Sequence, residues 1–109
     1  MMKADEYQFL AYRTANHELS KFDQLRNAAY GMCGEAGEVI DLLKKHEFQG
    51  HDLDYNMVVK ELGDVAWYLA LACTALGMPM SEMLERNIDK LKARYPDGFK
   101  TEDSVNRKE

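Results

Sequence analysis

Two long stretches of this chain carry apolar residues at a spacing that only a helix can use. Leu25, Ala28, Met32, Ala36, Val39 and Leu43 recur every three or four residues, and so do Val58, Leu62, Val65, Leu69, Ala72 and Leu76. No segment alternates apolar and polar residues in the manner of a half-buried strand. The two prolines, Pro79 and Pro96, both stand where a helix should stop. The pattern predicts helices over residues 4–18, 22–45 and 55–76, and a fourth from an N-cap at Ser81 to about Tyr95. Gly77 suits the position just past the third helix, and residues 46–54 form a polar break. The expected fold class is all-α, a four-helix bundle-like single domain over residues 1–99, with a polar tail over 100–109 that should fray. A chain of 109 residues has little room for a second core, and one with such long stripes often completes its core by oligomerising.

The formal net charge is −5, which argues against a nucleic-acid binder held by phosphate contacts. The longest apolar run, residues 66–73, falls far short of the ~20 residues of a membrane helix. The first residues have neither the basic start nor the apolar centre of a signal peptide. Cys33 and Cys73 are too few for a disulfide framework, so a reducing cytoplasm is the expected location. The expected partner is therefore neither nucleic acid nor membrane.

Four acids stand out. Gly34-Glu35-Ala36-Gly37-Glu38 and Glu61-Leu62-Gly63-Asp64 each place two carboxylates three residues apart, on one helix face beside the apolar stripe. If the two stripes pack antiparallel, Glu35, Glu38, Glu61 and Asp64 converge at the edge of the core. Converging acids need protons or cations to offset their repulsion. An all-oxygen set suits hard ions, chiefly Mg²⁺ and also Mn²⁺, whereas zinc prefers His or Cys. The bland alternative is four solvated surface acids. A ferritin-like di-iron site needs Glu-x-x-His, and none of His17, His46 or His51 has Glu three residues before it. Gly31, Gly34 and Gly37 each weaken the second helix by about 1 kcal/mol relative to alanine. They mark either a close helix contact or space for a ligand.

These segments, with Asn87-Ile88-Asp89-Lys90-Leu91-Lys92-Ala93-Arg94-Tyr95-Pro96 in the same order, resemble the MazG-like nucleoside triphosphate pyrophosphohydrolases of the all-α NTP pyrophosphatase superfamily. The resemblance covers about residues 28–99. It implies an all-helical homodimer or homotetramer that uses Mg²⁺ to cleave a (d)NTP to the monophosphate and pyrophosphate. It also implies that Glu35, Glu38, Glu61 and Asp64 are the catalytic metal ligands. Gly34 departs from the usual paired glutamates, so any water-activating role of an acid at that position is missing here.

The substrate implied is strongly anionic and the chain is acidic, so metal and local cations must mediate between them. Asn87, Lys90 and Arg94 share one side of the fourth helix beside Leu84, Ile88, Leu91 and Tyr95. Alone they read as a solvated basic face; with the resemblance, Asn87, Lys90, Arg94 and Tyr95 become candidate phosphate contacts. Lys45, two turns beyond Glu38, is a further candidate. Trp67 and Tyr68 follow Asp64, and aromatics at that spacing usually belong to a core. Tyr68 lies nearer the carboxylate face and is the candidate to flank a base. Two other readings stay open, a metal-dependent phosphohydrolase releasing inorganic phosphate and a catalytically silent helical interaction module.

Overall fold

A computed structural model describes residues 1–107 and is helical throughout, as expected. Its elements are α1 (Ala4–Tyr12), α2 (Lys21–Phe48), α3 (Tyr55–Ala75), α4 (Met80–Arg94) and a short α5 (Thr101–Val105). The α5 turn falls inside the tail expected to fray; residues 108 and 109 of that tail lie outside the described residues.

Local chemistry sets most of the boundaries. Ser20 caps α2, its hydroxyl accepting from the Asp23 N–H at 3.1 Å. Asp54 caps α3 by accepting from the Asn56 N–H at 2.9 Å. The end of α3 is a Schellman motif at Gly77, whose φ of +68° favours glycine. There Met78 N–H donates to Cys73 C=O and Gly77 N–H to Thr74 C=O.

Two boundaries differ from the sequence expectation, each for a tertiary reason. α1 stops at Tyr12 instead of reaching residue 18. Gln24, 2% exposed, donates its amide to Tyr12 Oη and to the Asn16 and Leu19 carbonyls, and so fixes a turn there. Ser81 is not the cap of α4. Pro79 holds that position, and it has no side chain able to accept a hydrogen bond. The helix start is satisfied from α1: Met80 N–H donates to Gln8 Oε1 at 2.6 Å and Ser81 N–H to Asp5 Oδ1 at 2.8 Å. The Ser81 hydroxyl also donates to Asp5 Oδ2 at 2.7 Å.

α2 and α3 form an antiparallel hairpin and the most extensive helix contact. α1 lies along α3, and the start of α4 closes a small core of Ala70, Cys73 and Met80 with Tyr7, Ala11 and Met83. α4 then leaves at 101° to α3, and Leu84, Ile88 and Leu91 are exposed along it. Ala36, Leu43, Leu62 and Leu76, counted above among the inward stripes, also face outward. The inward positions of α2 include Gln24, Ala28, Gly31, Met32, Glu35, Val39 and Leu42.

The chain is correspondingly open. Its accessible surface is 8188 Å², against about 6,200 Å² for a compact monomer of this mass. Its radius of gyration is 16.9 Å, against about 13 Å. No single helix among the described residues is long and apolar enough to cross a membrane.

Gly31 decides the α2–α3 contact. The Tyr68 ring lies where a Cβ on Gly31 would stand, whereas Gly34 and Gly37 have nothing within 4 Å of theirs. Close contact explains the first glycine, and open space surrounds the other two. Gly34→Ala is expected to be neutral or to stabilise by up to about 1 kcal/mol through helix propensity. Gly31→Ala meets the Tyr68 ring and should be less stable than Gly34→Ala by about 1–3 kcal/mol. Urea melts of both variants measure this, and equal stabilities would remove the contact from the account.

Candidate active site

The hairpin register follows from the Gly31–Tyr68 contact. One turn along α2 from Gly31 is Glu35; one and two turns back along α3 from Tyr68 are Asp64 and Glu61. Among the described residues, one carboxylate oxygen from each of Glu35, Glu61 and Asp64 lies within 4.8 Å of the others. Glu35 and Glu61 are half-buried in the seam and Asp64 is exposed.

A hydrogen bond with the Glu61 carboxyl, before all else, raises the Glu35 carboxyl above its ordinary value. Partial desolvation and the charges of Asp64, Glu61 and Glu38 push the same way. A proton held between two acids occupies the place a cation can take. The donor set is all oxygen, with no His or Cys in the group, and it fits a hard divalent ion such as Mg²⁺ or Mn²⁺. Glu38 lies outside the tight trio but close enough for its charge to act on Glu35.

A cleft of about 390 Å³ opens directly beside the trio, lined by Thr14, Glu35, Asp64, Trp67 and Tyr68. Trp67 is held rigidly, its Nε1–H shared between Ala11 C=O at 3.1 Å and Thr14 Oγ1 at 2.9 Å. Tyr68 meets it edge-on at 5.0 Å between ring centroids. Burial, and then the charge of Asp64, holds the Tyr7 phenol above its usual value, so α1 also borders this region.

The family model of the MazG nucleotide pyrophosphohydrolase domain matches residues 24–99, which contain α3, α4 and all of α2 beyond its first three residues. The chain belongs to this family. The Gene 37 protein of Mycobacterium phage L5 is 32% identical over 105 residues, with 89% of this chain and 92% of the phage protein covered. No solved structure matches the chain at a significant level.

The basic candidates of this MazG chain belong neither to the acidic trio nor to the lining of the cleft. Lys45 pairs with Asp41 at 2.9 Å, and that carboxylate, followed by the charge of Glu38, raises its ammonium above the ordinary value. Asn87, Lys90 and Arg94 ride on α4, which leaves α3 at 101°, and Tyr95 ends that helix with its ring 5.4 Å from Phe99. Thr14 was not among the sequence candidates. It comes to the cleft through a partner 53 positions away in the chain, and no local motif announces that.

The Glu35 shift has a pH consequence. A carboxyl raised on folding binds its proton more firmly in the folded chain than in the unfolded one. Below the ordinary carboxylate value both states are protonated and nothing is lost. As pH climbs through the window above 4.5, the metal-free fold loses stability. Glu35→Gln lacks this group, so its melting temperature should rise relative to wild type across that window and stay level above it. Asp5 and Asp41 are held low, mainly by Ser81 and Lys45, but are common to both proteins and cancel. Thermal melts from about pH 4 to about pH 8 in EDTA test this. A gap independent of pH would count against the shared proton.

Proposed function

We propose that the chain is a Mg²⁺-dependent nucleotide pyrophosphohydrolase that cleaves a (d)NTP to the (d)NMP and pyrophosphate. The observation that carries the reading is the trio of Glu35, Glu61 and Asp64, repelling one another at the mouth of a nucleoside-sized aromatic cleft. Family membership supports the same chemistry. Bound Mg²⁺, or Mn²⁺ in its place, neutralises phosphate oxygens and lowers the pKa of a water positioned for in-line attack.

The residues divide the work. Glu35, Glu61 and Asp64 hold the ion from both helices of the seam. Glu38 is exposed, makes no hydrogen bond among the described residues and turns in as the fourth carboxylate. Tyr68, pinned over Gly31, and Trp67, pinned by Ala11 and Thr14, form a preorganised wall for the base. Asn87, Lys90, Arg94 and Tyr95 contact the phosphates, with Lys45 at the rim.

The protein works as a homo-oligomer, a dimer at least. The surface in excess of a compact monomer, about 2,000 Å² per chain, is the size of an obligate interface. It coincides with exposed Ile40, Leu43, Val59 and Leu62 on the hairpin and with the apolar stripe of α4.

Purified protein with Mg²⁺ is expected to convert at least one (d)NTP to (d)NMP and pyrophosphate, read by chromatography of the products. Diphosphate with inorganic phosphate would instead select a different phosphohydrolase, and no turnover of any nucleotide would leave an interaction module. Glu38→Gln and Glu61→Gln should each lower activity by at least ~10–100-fold and abolish the Mg²⁺-induced rise in melting temperature. Glu85→Gln on α4 should stay within about 0.5 kcal/mol of wild type and keep both properties. A Glu38→Gln protein with a normal Mg²⁺ response would take Glu38 out of the site. Light scattering at micromolar concentration should give at least a dimer mass, and a monomer mass would refute the assembly.

A further inference from the structure

A helix that starts at Pro79 has no side chain of its own to accept from its first amides. Asp5 and Gln8 supply what is missing. They stand three residues apart on one face of α1. Gln8 Oε1 accepts from the Met80 N–H at 2.6 Å, while its amide nitrogen donates to Met78 C=O at 2.9 Å and to Thr74 Oγ1 at 3.1 Å. One side chain thus ties the last turn of α3, the α3–α4 connection and the first residue of α4 to α1. Asp5 Oδ1 and Oδ2 accept from the Ser81 N–H and hydroxyl at 2.8 and 2.7 Å. Those bonds hold the Asp5 carboxyl below its ordinary value, so it stays an ionised acceptor at neutral pH. Beneath this fastening, Ala4, Tyr7 and Ala11 of α1 pack against the core of Ala70, Cys73 and Met80.

The fastening sits at one end of a lever. α4 is an arm of 15 residues, and helix rise puts Lys90 and Arg94 about 15 and 21 Å along it from Met80. A tilt of about 10° at the root carries Arg94 sideways by about 4 Å. A charge-assisted hydrogen bond to a phosphate oxygen is only ~2.8 Å long and does not survive such a shift. Small changes at the root are magnified where Asn87, Lys90 and Arg94 ride.

The carboxylates and the basic residues lie within the residues that the family model matches, 24–99, and Asp5 and Gln8 lie before them. We propose that Asp5 and Gln8 are positioning residues for the reaction, aiming the α4 arm so that Asn87, Lys90 and Arg94 meet the phosphates of the nucleotide. This rests on the pyrophosphohydrolase reading, and it adds that affinity for the phosphates is set from α1. The α2–α3 seam uses neither side chain, so metal binding and phosphate binding separate.

Substitution at the root tests it. Asp5→Ala and Gln8→Ala are each expected to raise KM for the (d)NTP by roughly 10-fold, to leave kcat within about twofold, and to keep the full Mg²⁺-induced rise in melting temperature. Asp5→Asn keeps an acceptor for the Ser81 N–H and offers its amide to the Ser81 oxygen, so its KM should stay near wild type. Both alanine variants should also melt lower, as the loss of a cap alone would cause. A local cap separates the two effects. Pro79→Ser gives α4 its own acceptor for the Ser81 N–H; combined with Asp5→Ala, it should recover melting temperature while KM stays raised. A KM that returns together with melting temperature makes the role merely structural and overturns the proposal. A wild-type KM in both alanine variants overturns it as well.

A distance reads the same point without turnover. Cys33→Ser removes the exposed thiol, and the buried Cys73 is left in place. Spin labels at Asn56→Cys on α3 and Lys92→Cys on α4 then report the angle between the two helices, with an excess of unlabelled chain to isolate single label pairs. The distance distribution should be narrow in this parent and should shift or broaden in Asp5→Ala, with or without Pro79→Ser. An unchanged distribution overturns the proposal even where KM has risen. Wild-type protein that cleaves no (d)NTP fails the pyrophosphohydrolase reading and this proposal with it. Wild-type turnover with an unmoved arm fails the proposal alone.

Discussion

Everything at the seam depends on how closely two helices approach at Gly31. With no side chain there, α2 lets the Tyr68 ring lie against its backbone, and that contact sets the hairpin register. One turn away the same register sets Glu35 against Glu61 and Asp64. The acids are therefore held by the packing around them rather than by mutual attraction. In metal-free protein the hydrogen bond with Glu61, partial desolvation and the neighbouring charges hold the Glu35 carboxyl above its ordinary value. The strain is of the kind that a bound cation releases, which is how a binding site can be built into a small fold at the expense of its own stability.

The second organising device lies at the opposite end of the bundle. A helix beginning at Pro79 has no cap of its own, so its first amides depend on Gln8 and Asp5 of α1. Gln8 is fully occupied in this, since its amide nitrogen also donates to Met78 C=O at 2.9 Å and to Thr74 Oγ1 at 3.1 Å. Two side chains thus fix both the place where α4 starts and the direction it takes. Beyond Met83 the apolar stripe of α4, Leu84, Ile88 and Leu91, stays exposed.

Much of this was legible in the sequence, and the part that was not has a common cause. Helical spacing and Gly77 act through neighbours a few residues away, so α2, α3 and the end of α3 could be read directly, and the caps Ser20 and Asp54 work over the same short range. The carboxylate pairs were equally plain, because i,i+3 spacing alone puts them on one face. Periodicity shows that a helix has an apolar side without showing what covers it. Ala36, Leu43, Leu62 and Leu76 have the spacing of core residues and still face outward. For the same reason the spacing sets Lys90 and Arg94 on one side of the fourth helix without showing what they face, since α4 leaves α3 at 101°. Gln24 ending α1 and Thr14 joining Trp67 are contacts between distant parts of the chain, outside the reach of any local pattern.

The Gln8 and Asp5 contacts also bear on the order in which the molecule assembles. They join residues 66 to 76 positions apart, whereas the α2–α3 hairpin closes across a short loop. Closing a long loop loses more chain entropy than closing a short one, and topology of this kind governs folding rates. The acidic seam is thus expected to form early, and the arm to acquire its direction only when the first and last thirds of the chain meet. Pulse-labelled hydrogen exchange during refolding should protect α2 and α3 before the Met80 and Ser81 amides. A chain caught between these stages has its carboxylate seam in place and an α4 without a fixed direction.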